Sequence, residues 1–369
     1  MRHSNSLLYL RVGTPCTLAC PAFRMVESPI SPPFSSSPTT SSPPQSKPLF
    51  SRSRSAPAIT SSTRPTDTGG RPSSMASALD SFMGYLRVPL IASSGIAALL
   101  SGLLYFKQNE IIYPRNFPPD ARTNVPRPSQ FGITDSEELF IPTPDGESLS
   151  AFLIRANRQH ARNVTILMFH GNAGNIGYRL PIAKILENEL RCNVLMLQYR
   201  GYGLSSGNPN EKGLMIDAQT GLDYIRQRHE LRDTKIVIYG QSIGGAVAVG
   251  LAARNQREGD IAAIILENTF TSMRKLIPTA FPPARFLAPL CHQIWPTEET
   301  ISKITKIPIL FLSGLKDEII PPSHMTRLFD VCKAPKIWRE LPNGSHNDTV
   351  AEPHYFQYIE EFLNKFVAR

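Results

Sequence analysis

The stretch that decides the fold runs from residue 235 to residue 254 and reads KIVIYGQSIGGAVAVGLAAR. Its β-branched run at 236–239 predicts a strand, its glycine-rich middle a sharp turn, and its Ala/Val-rich remainder a helix. Ser242 lies at the apex of the turn between Gly240 and Gly244, in a G-x-S-x-G pattern. Side chains at the two flanking positions would collide with the neighbouring strand and helix. The turn therefore predicts a serine hydroxyl above the sheet edge, close to helix amides that can stabilise an oxyanion.

Short apolar runs on both sides of this stretch extend the alternation of strand and helix. Helix-length segments separate most of them, and residues 219–228 and 246–254 are the clearest helices. The D-G turn at 144–146 joins the first two runs into an opening hairpin. This alternation predicts an α/β fold, in which helices cover both faces of a mostly parallel sheet. The runs lie at residues 139–143, 149–154, 164–169, 194–197, 236–239, 261–266, 309–312 and 337–341.

Two polar residues follow late strands in positions that suit catalysis. A serine hydroxyl is a poor nucleophile at neutral pH, and it needs a base that is oriented by an acid. In parallel sheets the chemistry lies past the carboxyl ends of the strands. Asp317 follows the seventh apolar run and His346 the eighth, so Ser242, Asp317 and His346 predict a catalytic triad in that order. Glu267, which follows the sixth run, is an alternative acid.

The loop after the run at 164–169 predicts the rest of the site. His170 opens the segment HGNAGNIG, where this type of scaffold draws a second oxyanion amide. We expect the backbone N–H groups of Asn172 and Ile243 to be the donors, with Ala173 as the alternative to Asn172. A phosphate-binding loop is the rival interpretation, but the glycines are spaced G-x-x-G-x-x-G and no G-K-S/T follows.

The connection at 268–306 interrupts the strand and helix alternation. Its prolines make it unsuitable for one regular helix, and it is either a short cap over the site or an ordinary surface excursion. A cap is favoured because an exposed loop would not need so many large apolar side chains. These are Ile277, Phe281, Phe286, Leu287 and Trp295.

The N-terminal residues 1–87 have the composition of a disordered basic tail. Residues 28–74 are mostly Ser, Pro and Thr, which offer almost nothing to bury. The tail carries nine basic residues against three acidic ones, a surplus of six within a net charge of +9. The remaining residues are therefore only weakly basic, and no basic helix is interleaved with aromatic residues. This distribution predicts no nucleic-acid partner.

An uncharged run at 88–106, VPLIASSGIAALLSGLLYF, is a candidate transmembrane signal anchor. Its 19 residues at about 1.5 Å each nearly match a hydrocarbon core of roughly 30 Å. Its Ser, Gly and Ala content leaves a helix packed on the domain as the alternative. The charges on its two sides do not decide the topology. The predicted location is the endoplasmic reticulum or plasma membrane in preference to the mitochondrion. Three sequons would be available in a lumenal domain: Asn163, Asn343 and Asn347.

The first residues allow more than one interpretation. Residues 1–26 contain three arginines and no acid, as in a mitochondrial transit peptide. A plain disordered tail and a natural start at Met75 are the alternatives.

The cysteines predict buried free thiols, because their spacing forms neither a metal site nor an even disulfide framework within the domain. They are Cys16, Cys20, Cys192, Cys291 and Cys332. Neither a metal nor another cofactor is predicted, since triad chemistry needs none.

Several motifs in the right order resemble those of the serine α/β-hydrolase superfamily. They are HGNAGNIGYRLP at 170–181, YRGYGLSSGNPNEKG at 199–213, YGQSIGGAVA at 239–248 and LKDEIIPP at 315–322. Within the superfamily, residues 111 to 369 resemble the fungal bud-emergence-type hydrolases and animal abhydrolase domain-containing protein 13. The resemblance implies an α/β-hydrolase domain at 107–369, an N-terminal membrane anchor and an active Ser-Asp-His triad. A more distant resemblance is to membrane-associated hydrolases that remove palmitate from proteins.

The sequence as a whole predicts a membrane-anchored serine hydrolase that cleaves an ester or thioester through an acyl-enzyme. An anchor close to the domain favours lipids or lipidated proteins as substrates. A hydrolase-fold membrane scaffold without turnover is the alternative, which an intact triad disfavours. Peptidase activity ranks last, because the large gating domain that such enzymes often add is not evident.

Overall fold

The computed structural model describes residues 74–157, 159, 161–280 and 282–367. It divides into two units whose boundary lies between Ile96 and Ala97. The predictions for residues 1–73, including the transit peptide, Cys16 and Cys20, lie outside the described residues. So does Phe281 in the candidate cap.

An eight-stranded mixed sheet forms the centre of the unit that begins at Ala97. Its strand order is β1-β2-β4-β3-β5-β6-β7-β8. The first two pairs, β1 with β2 and β2 with β4, are antiparallel, and the remaining pairs are parallel. The strands are β1 (Ser136–Pro142), β2 (Ser148–Ile154), β3 (Val164–Phe169), β4 (Asn193–Leu197), β5 (Lys235–Gln241), β6 (Ile261–Glu267), β7 (Ile309–Gly314) and β8 (Lys336–Leu341). The predicted hairpin and the predicted mostly parallel sheet are both confirmed.

Helices connect these strands. The α-helices are α1 (Ser74–Ile112), α2 (Leu180–Asn188), α3 (Glu211–Gln227), α4 (Ile243–Asn255), α5 (Met273–Ala280), α6 (Thr297–Ile301), α7 (Ser323–Val331) and α8 (Tyr355–Phe366). Short 3₁₀ turns lie at Pro128–Phe131, Ile176–Arg179, Pro282–Leu290 and Thr349–Ala351. α3 begins before the predicted residue 219, because the side chain of Asn210 caps it by accepting from Gly213 N at 2.9 Å.

The core lies on both faces of the sheet, as continuous apolar strands require. Successive residues of a strand point to opposite faces. In β5, Ile236 and Ile238 pack into an apolar cluster with α3 and α4, and Val237 and Tyr239 pack into another with α2 and α8. All six residues of β3 are buried. The centre of the sheet is therefore a rigid platform for whatever follows the strands.

Three of the cysteines are buried in the described part of the chain. Cys192, Cys291 and Cys332 are buried free thiols, as predicted.

The N-terminal helix α1 corrects part of the sequence interpretation. It includes residues 74–87, which composition assigns to the disordered tail. These residues contain good helix formers such as Ala76 and Leu79, and α1 contains no proline before Pro89. α1 also contains residues 88–106. Within the described residues, no helix has the length and apolar character needed to cross a membrane, so the transmembrane prediction is not supported.

The connection at 268–306 folds onto the domain. Trp295 is buried, and its Nε1 donates to the Tyr113 hydroxyl at 3.0 Å. The same hydroxyl donates to Gln293 Oε1 at 2.9 Å. Phe286, in contrast, is exposed. The apolar residues of this connection therefore anchor it only in part, and its function as a cap stays a prediction.

Candidate active site

Ser242 lies in a strained turn between β5 and α4, as the G-x-S-x-G pattern predicts. Its φ of 56° and ψ of −122° belong to a region that side chains rarely adopt. A Cβ on Gly240 would lie 2.2 Å from the Gly244 carbonyl oxygen, and one on Gly244 would lie 2.3 Å from that of Phe169. Only glycine fits at either position. The predicted collisions with helix and strand are confirmed, so the close packing holds the serine at the apex.

Gly244→Ala is expected to lower the free energy of unfolding by about 3 kcal/mol, because the added methyl group would overlap the β3 backbone. Gly250→Ala in the same helix is the matched control. Its methyl group would meet only the flexible end of Met215, at 3.0 Å. Alanine also favours a helix interior by about 1 kcal/mol. Urea denaturation followed by circular dichroism measures both variants, and equal stabilities would contradict the packing argument.

The three residues predicted as a triad come together at the carboxyl ends of β5, β7 and β8. His346 Nε2 lies 3.1 Å from Ser242 Oγ, and His346 Nδ1 lies 2.8 Å from Asp317 Oδ2. Each residue is less than a tenth exposed. Since a carboxylate only accepts, His346 donates from Nδ1 and its Nε2 is free to accept the serine proton. This geometry is that of a nucleophile, a base and an orienting acid.

The carboxylate of Asp317 is itself fixed by the loop that carries it. Its Oδ1 accepts from the backbone N–H groups of Ile319 at 2.9 Å and Ile320 at 2.7 Å. Oδ2 is then directed at the imidazole.

Glu267, the alternative acid, lies in a different hydrogen-bond network. It is fully buried and accepts from the Tyr239 and Tyr355 hydroxyls on one oxygen, and from Gln241 Nε2 at 3.0 Å on the other. Its carboxylate is thus engaged by three donors other than His346. The geometry favours Asp317 as the partner of His346.

The loop after β3 passes directly over the serine. A Cβ on Gly171 would lie 3.7 Å from Ser242 Cβ. Asn172 follows it, and its carbonyl accepts from the Tyr202 hydroxyl at 2.8 Å. Ile243 is the first residue of α4. Among the hydrogen bonds of the described residues, none uses the backbone N–H of Asn172 or Ile243, so both amides are available to an oxyanion.

His170 supports this loop from below as a neutral imidazole. It is buried, and its Nδ1 lies 2.6 Å from the Gly171 carbonyl oxygen, to which it donates. Its Nε2 then accepts from Gln198 Nε2 at 2.8 Å. Burial away from water, with a smaller contribution from the nearby Arg179 guanidinium, lowers the pKa of His170 from 6.5 to about 3. His170 is a structural residue of the loop.

We expect His170 to make the fold less stable in acid. The unfolded chain binds a proton on this histidine below pH 6.5, whereas the folded protein does so only near pH 3. The contribution of neutral His170 to the free energy of unfolding is therefore fully present above pH 6.5. It is lost as the pH falls from 6.5 toward 3, and the loss is about 2 kcal/mol at pH 5. Chemical denaturation at pH 8 and pH 5 measures the loss in wild type and His170→Asn. An equal loss in both proteins would contradict the assignment.

Arg200, in the motif at 199–213 that follows β4, is a structural residue. Its guanidinium pairs with Asp145 in the hairpin turn at 2.7 Å and with the buried Asp217 of α3 at 2.8 Å. These ion pairs join the turn that follows β4 to the hairpin turn and to α3.

Sequence reasoning did not select Asn268 and Thr269, which lie next to the candidate triad. Asn268 hydrogen-bonds Ser345, the residue before His346. Thr269 Oγ1 donates to the Ser242 carbonyl at 2.6 Å. Both residues directly follow β6 at the catalytic edge of the sheet, and that position is the signal that could have identified them.

Known proteins are similar to this chain in sequence and in fold. The family described as "Serine aminopeptidase, S33" matches residues 160–304. Protein bem46 of Schizosaccharomyces pombe is 44% identical over 292 residues, which cover 78% of this chain and 97% of bem46. "Uncharacterized membrane protein YNL320W" of Saccharomyces cerevisiae is 40% identical over 73% of this chain and 94% of its own length. A crystal structure of an alpha-beta hydrolase from Vibrio vulnificus superposes with a TM-score of 0.57 at 20% identity, covering 70% of this chain and 91% of that one.

Proposed function

The chain belongs to the α/β-hydrolase family, among the bud-emergence-type hydrolases, and from that membership we propose that it is a serine acyl hydrolase. Its substrates in this proposal are carboxylic esters or thioesters. The observation that carries the proposal is the continuous hydrogen-bonded series Ser242, His346, Asp317, with contacts of 3.1 and 2.8 Å. A hydroxyl in such a series can lose its proton as it attacks a carbonyl carbon.

Each group has one task in the proposed reaction. Ser242 Oγ bonds to the acyl carbon while its proton passes to His346 Nε2, and Asp317 stabilises the imidazolium. The amides of Asn172 and Ile243 receive the negative charge on the acyl oxygen. His346 then protonates the leaving alcohol or thiol, which departs and leaves the acyl group on Ser242. Water adds by the same steps in reverse, so the products are a carboxylic acid and the free serine.

Apolar acyl groups near a membrane are the proposed substrate class. α1 leads directly to the site, because the carbonyl of its last residue, Ile112, accepts from Asn172 Nδ2 at 3.3 Å. The same helix carries exposed apolar side chains at Leu99, Leu103 and Phe106. These side chains support a membrane-bound lipid or lipidated protein as substrate. The name of the Saccharomyces cerevisiae relative, an uncharacterized membrane protein, supports it too. The endoplasmic reticulum and plasma membrane remain the proposed locations.

A burst experiment on the purified full-length protein tests the proposed reaction. The probes are p-nitrophenyl esters and acyl thioesters with short and long chains, mixed with enzyme at comparable concentration. We expect one equivalent of leaving group in the first turnover, and an adduct of acyl mass on the peptide that contains Ser242. A protein that forms no adduct with any ester, thioester or fluorophosphonate probe would contradict the proposal and favour the scaffold alternative.

A further inference from the structure

We propose that Asn268 and Thr269 are positioning residues. They fix the relative positions of the three segments that carry Ser242, Asp317 and His346. The inference rests on the proposed function and adds two residues to it. Both follow β6, and they are 1% and 0% exposed. Neither touches a reacting atom. Together they contact the backbone of the segments that carry Ser242, Asp317 and His346.

Thr269 controls the peptide that carries one oxyanion donor. Its hydroxyl donates to the Ser242 carbonyl oxygen at 2.6 Å. That carbonyl and the N–H of Ile243 belong to the same planar peptide, so fixing the direction of one fixes the direction of the other. Gly245 packs closely against Thr269, since a Cβ on it would lie 2.5 Å from Thr269 Cβ, and its N–H donates to the same carbonyl at 2.9 Å. Thr269 therefore aims the Ile243 N–H at the position of the developing oxyanion.

Asn268 connects the loops of the acid and the base with one side chain. Its Oδ1 accepts from the N–H of Gly314, the last residue of β7 before the Asp317 loop, at 2.8 Å. Its Nδ2 donates to Thr349 Oγ1 at 2.8 Å and to the Ser345 carbonyl at 3.3 Å. Ser345 directly precedes His346 in the sequence. The amide thus fixes the separation between the two loops.

The conformation and packing around Asn268 leave little freedom for another arrangement. Its φ of 44° is in the left-handed region, which asparagine tolerates better than most residues. A Cβ on Gly314 would lie 2.3 Å from Thr349 Oγ1 and 2.6 Å from the Gly344 carbonyl oxygen. The two loops are therefore in backbone contact where Asn268 joins them. Losing the amide would let His346 and Asp317 shift relative to Ser242, and small displacements have large effects on catalysis.

Thr269→Val tests whether Thr269 orients the oxyanion donor, since valine keeps the shape of the side chain and removes its hydroxyl. We expect kcat for a p-nitrophenyl ester to fall by about 10- to 100-fold, with KM changed by less than about threefold, because the loss is confined to the transition state. Thr269→Ser restores the donor and is expected to recover kcat to within about threefold of wild type. The matched control is Thr165→Val, which removes a buried hydroxyl bonded to Thr234 at 2.7 Å at the other end of β3.

Asn268→Gly tests whether Asn268 fixes the separation between the two loops, and it keeps the inference open to refutation if Thr269→Val fails to fold. Glycine retains the left-handed backbone and removes all three side-chain bonds. We expect kcat and the rate of fluorophosphonate labelling to fall by about tenfold or more. Asn255→Ala, which removes four side-chain hydrogen bonds at the far end of α4, is the control and should leave both rates unchanged.

The outcomes separate the two proposals. Folded Thr269→Val or Asn268→Gly protein that melts at a lower temperature but turns over and labels at wild-type rates would overturn the positioning assignment alone. Wild-type protein that neither turns over nor labels would overturn the proposed function, and the positioning assignment with it. A fall in kcat that Thr269→Ser does not reverse would also contradict the inference, because the hydroxyl is then not the cause.

Discussion

Ser242→Ala is expected to abolish ester hydrolysis and fluorophosphonate labelling, lowering kcat on the order of a millionfold. The loss is this large because no other hydroxyl can occupy the apex between β5 and α4, where His346 Nε2 lies 3.1 Å from Ser242 Oγ. Binding of substrate needs no bond to the serine, so KM should change little. Steady-state kinetics with p-nitrophenyl esters and gel-based labelling measure the two effects.

The matched control is Ser313→Ala, which makes the same change at a buried serine in β7. The Ser313 hydroxyl has no hydrogen-bond partner within the described part of the chain, so its removal should leave both activity and stability near wild type. A double variant with Ser242→Ala and His346→Ala should be no slower than either single variant, because the two residues act as one unit. Equal labelling of Ser242→Ala and wild type would refute the assignment of the nucleophile.

Sequence patterns were sufficient to place the sheet and the candidate triad because both depend on local signals. The apolar run at 164–169 coincides with β3, and the D-G turn marks the hairpin. Parallel strands bring their carboxyl ends to one edge, so residues that follow different strands can be expected to meet there. Ser242, Asp317 and His346 meet for that reason.

The supporting residues could not be found in the same way. Asn268 contacts Gly314 and Thr349, which are far from it in sequence, and no local pattern records that pairing. The sequence favours Asp317 but does not exclude Glu267, because Asp317 follows β7 and Glu267 ends β6, both at the carboxyl edge of the sheet. Tertiary contacts distinguish the two acids. Two tyrosine hydroxyls donate to the Glu267 carboxylate, whereas the His346 imidazole donates to that of Asp317.

The helical residues 74–87 were missed for another reason. Composition averaged over the long Ser/Pro-rich tail concealed a short segment of helix formers that joins α1.

Asp317→Asn is expected to lower kcat by about 10⁴-fold while the fold persists. The backbone N–H groups of Ile319 and Ile320 hold Oδ1, so the new amide must keep its oxygen toward them and turn its NH₂ toward His346. An NH₂ group donates, which forces Nδ1 of the imidazole to accept and moves its proton to Nε2. His346 then presents a donor to Ser242 where it needs an acceptor, and the serine has no base.

Glu267→Gln separates this effect from the general consequence of neutralising a buried carboxylate. Two tyrosine hydroxyls and Gln241 donate to Glu267, so its replacement should lower stability by about 1–3 kcal/mol but leave kcat within about tenfold of wild type. Kinetics and urea denaturation of both variants measure the contrast. A reversed result, with Glu267→Gln inactive and Asp317→Asn active, would transfer the role of orienting acid to Glu267, the last residue of β6. An inactive Asp317→Asn with a stable fold is expected instead, because the Asp317 carboxylate is the partner of His346 Nδ1 within the described residues, at 2.8 Å.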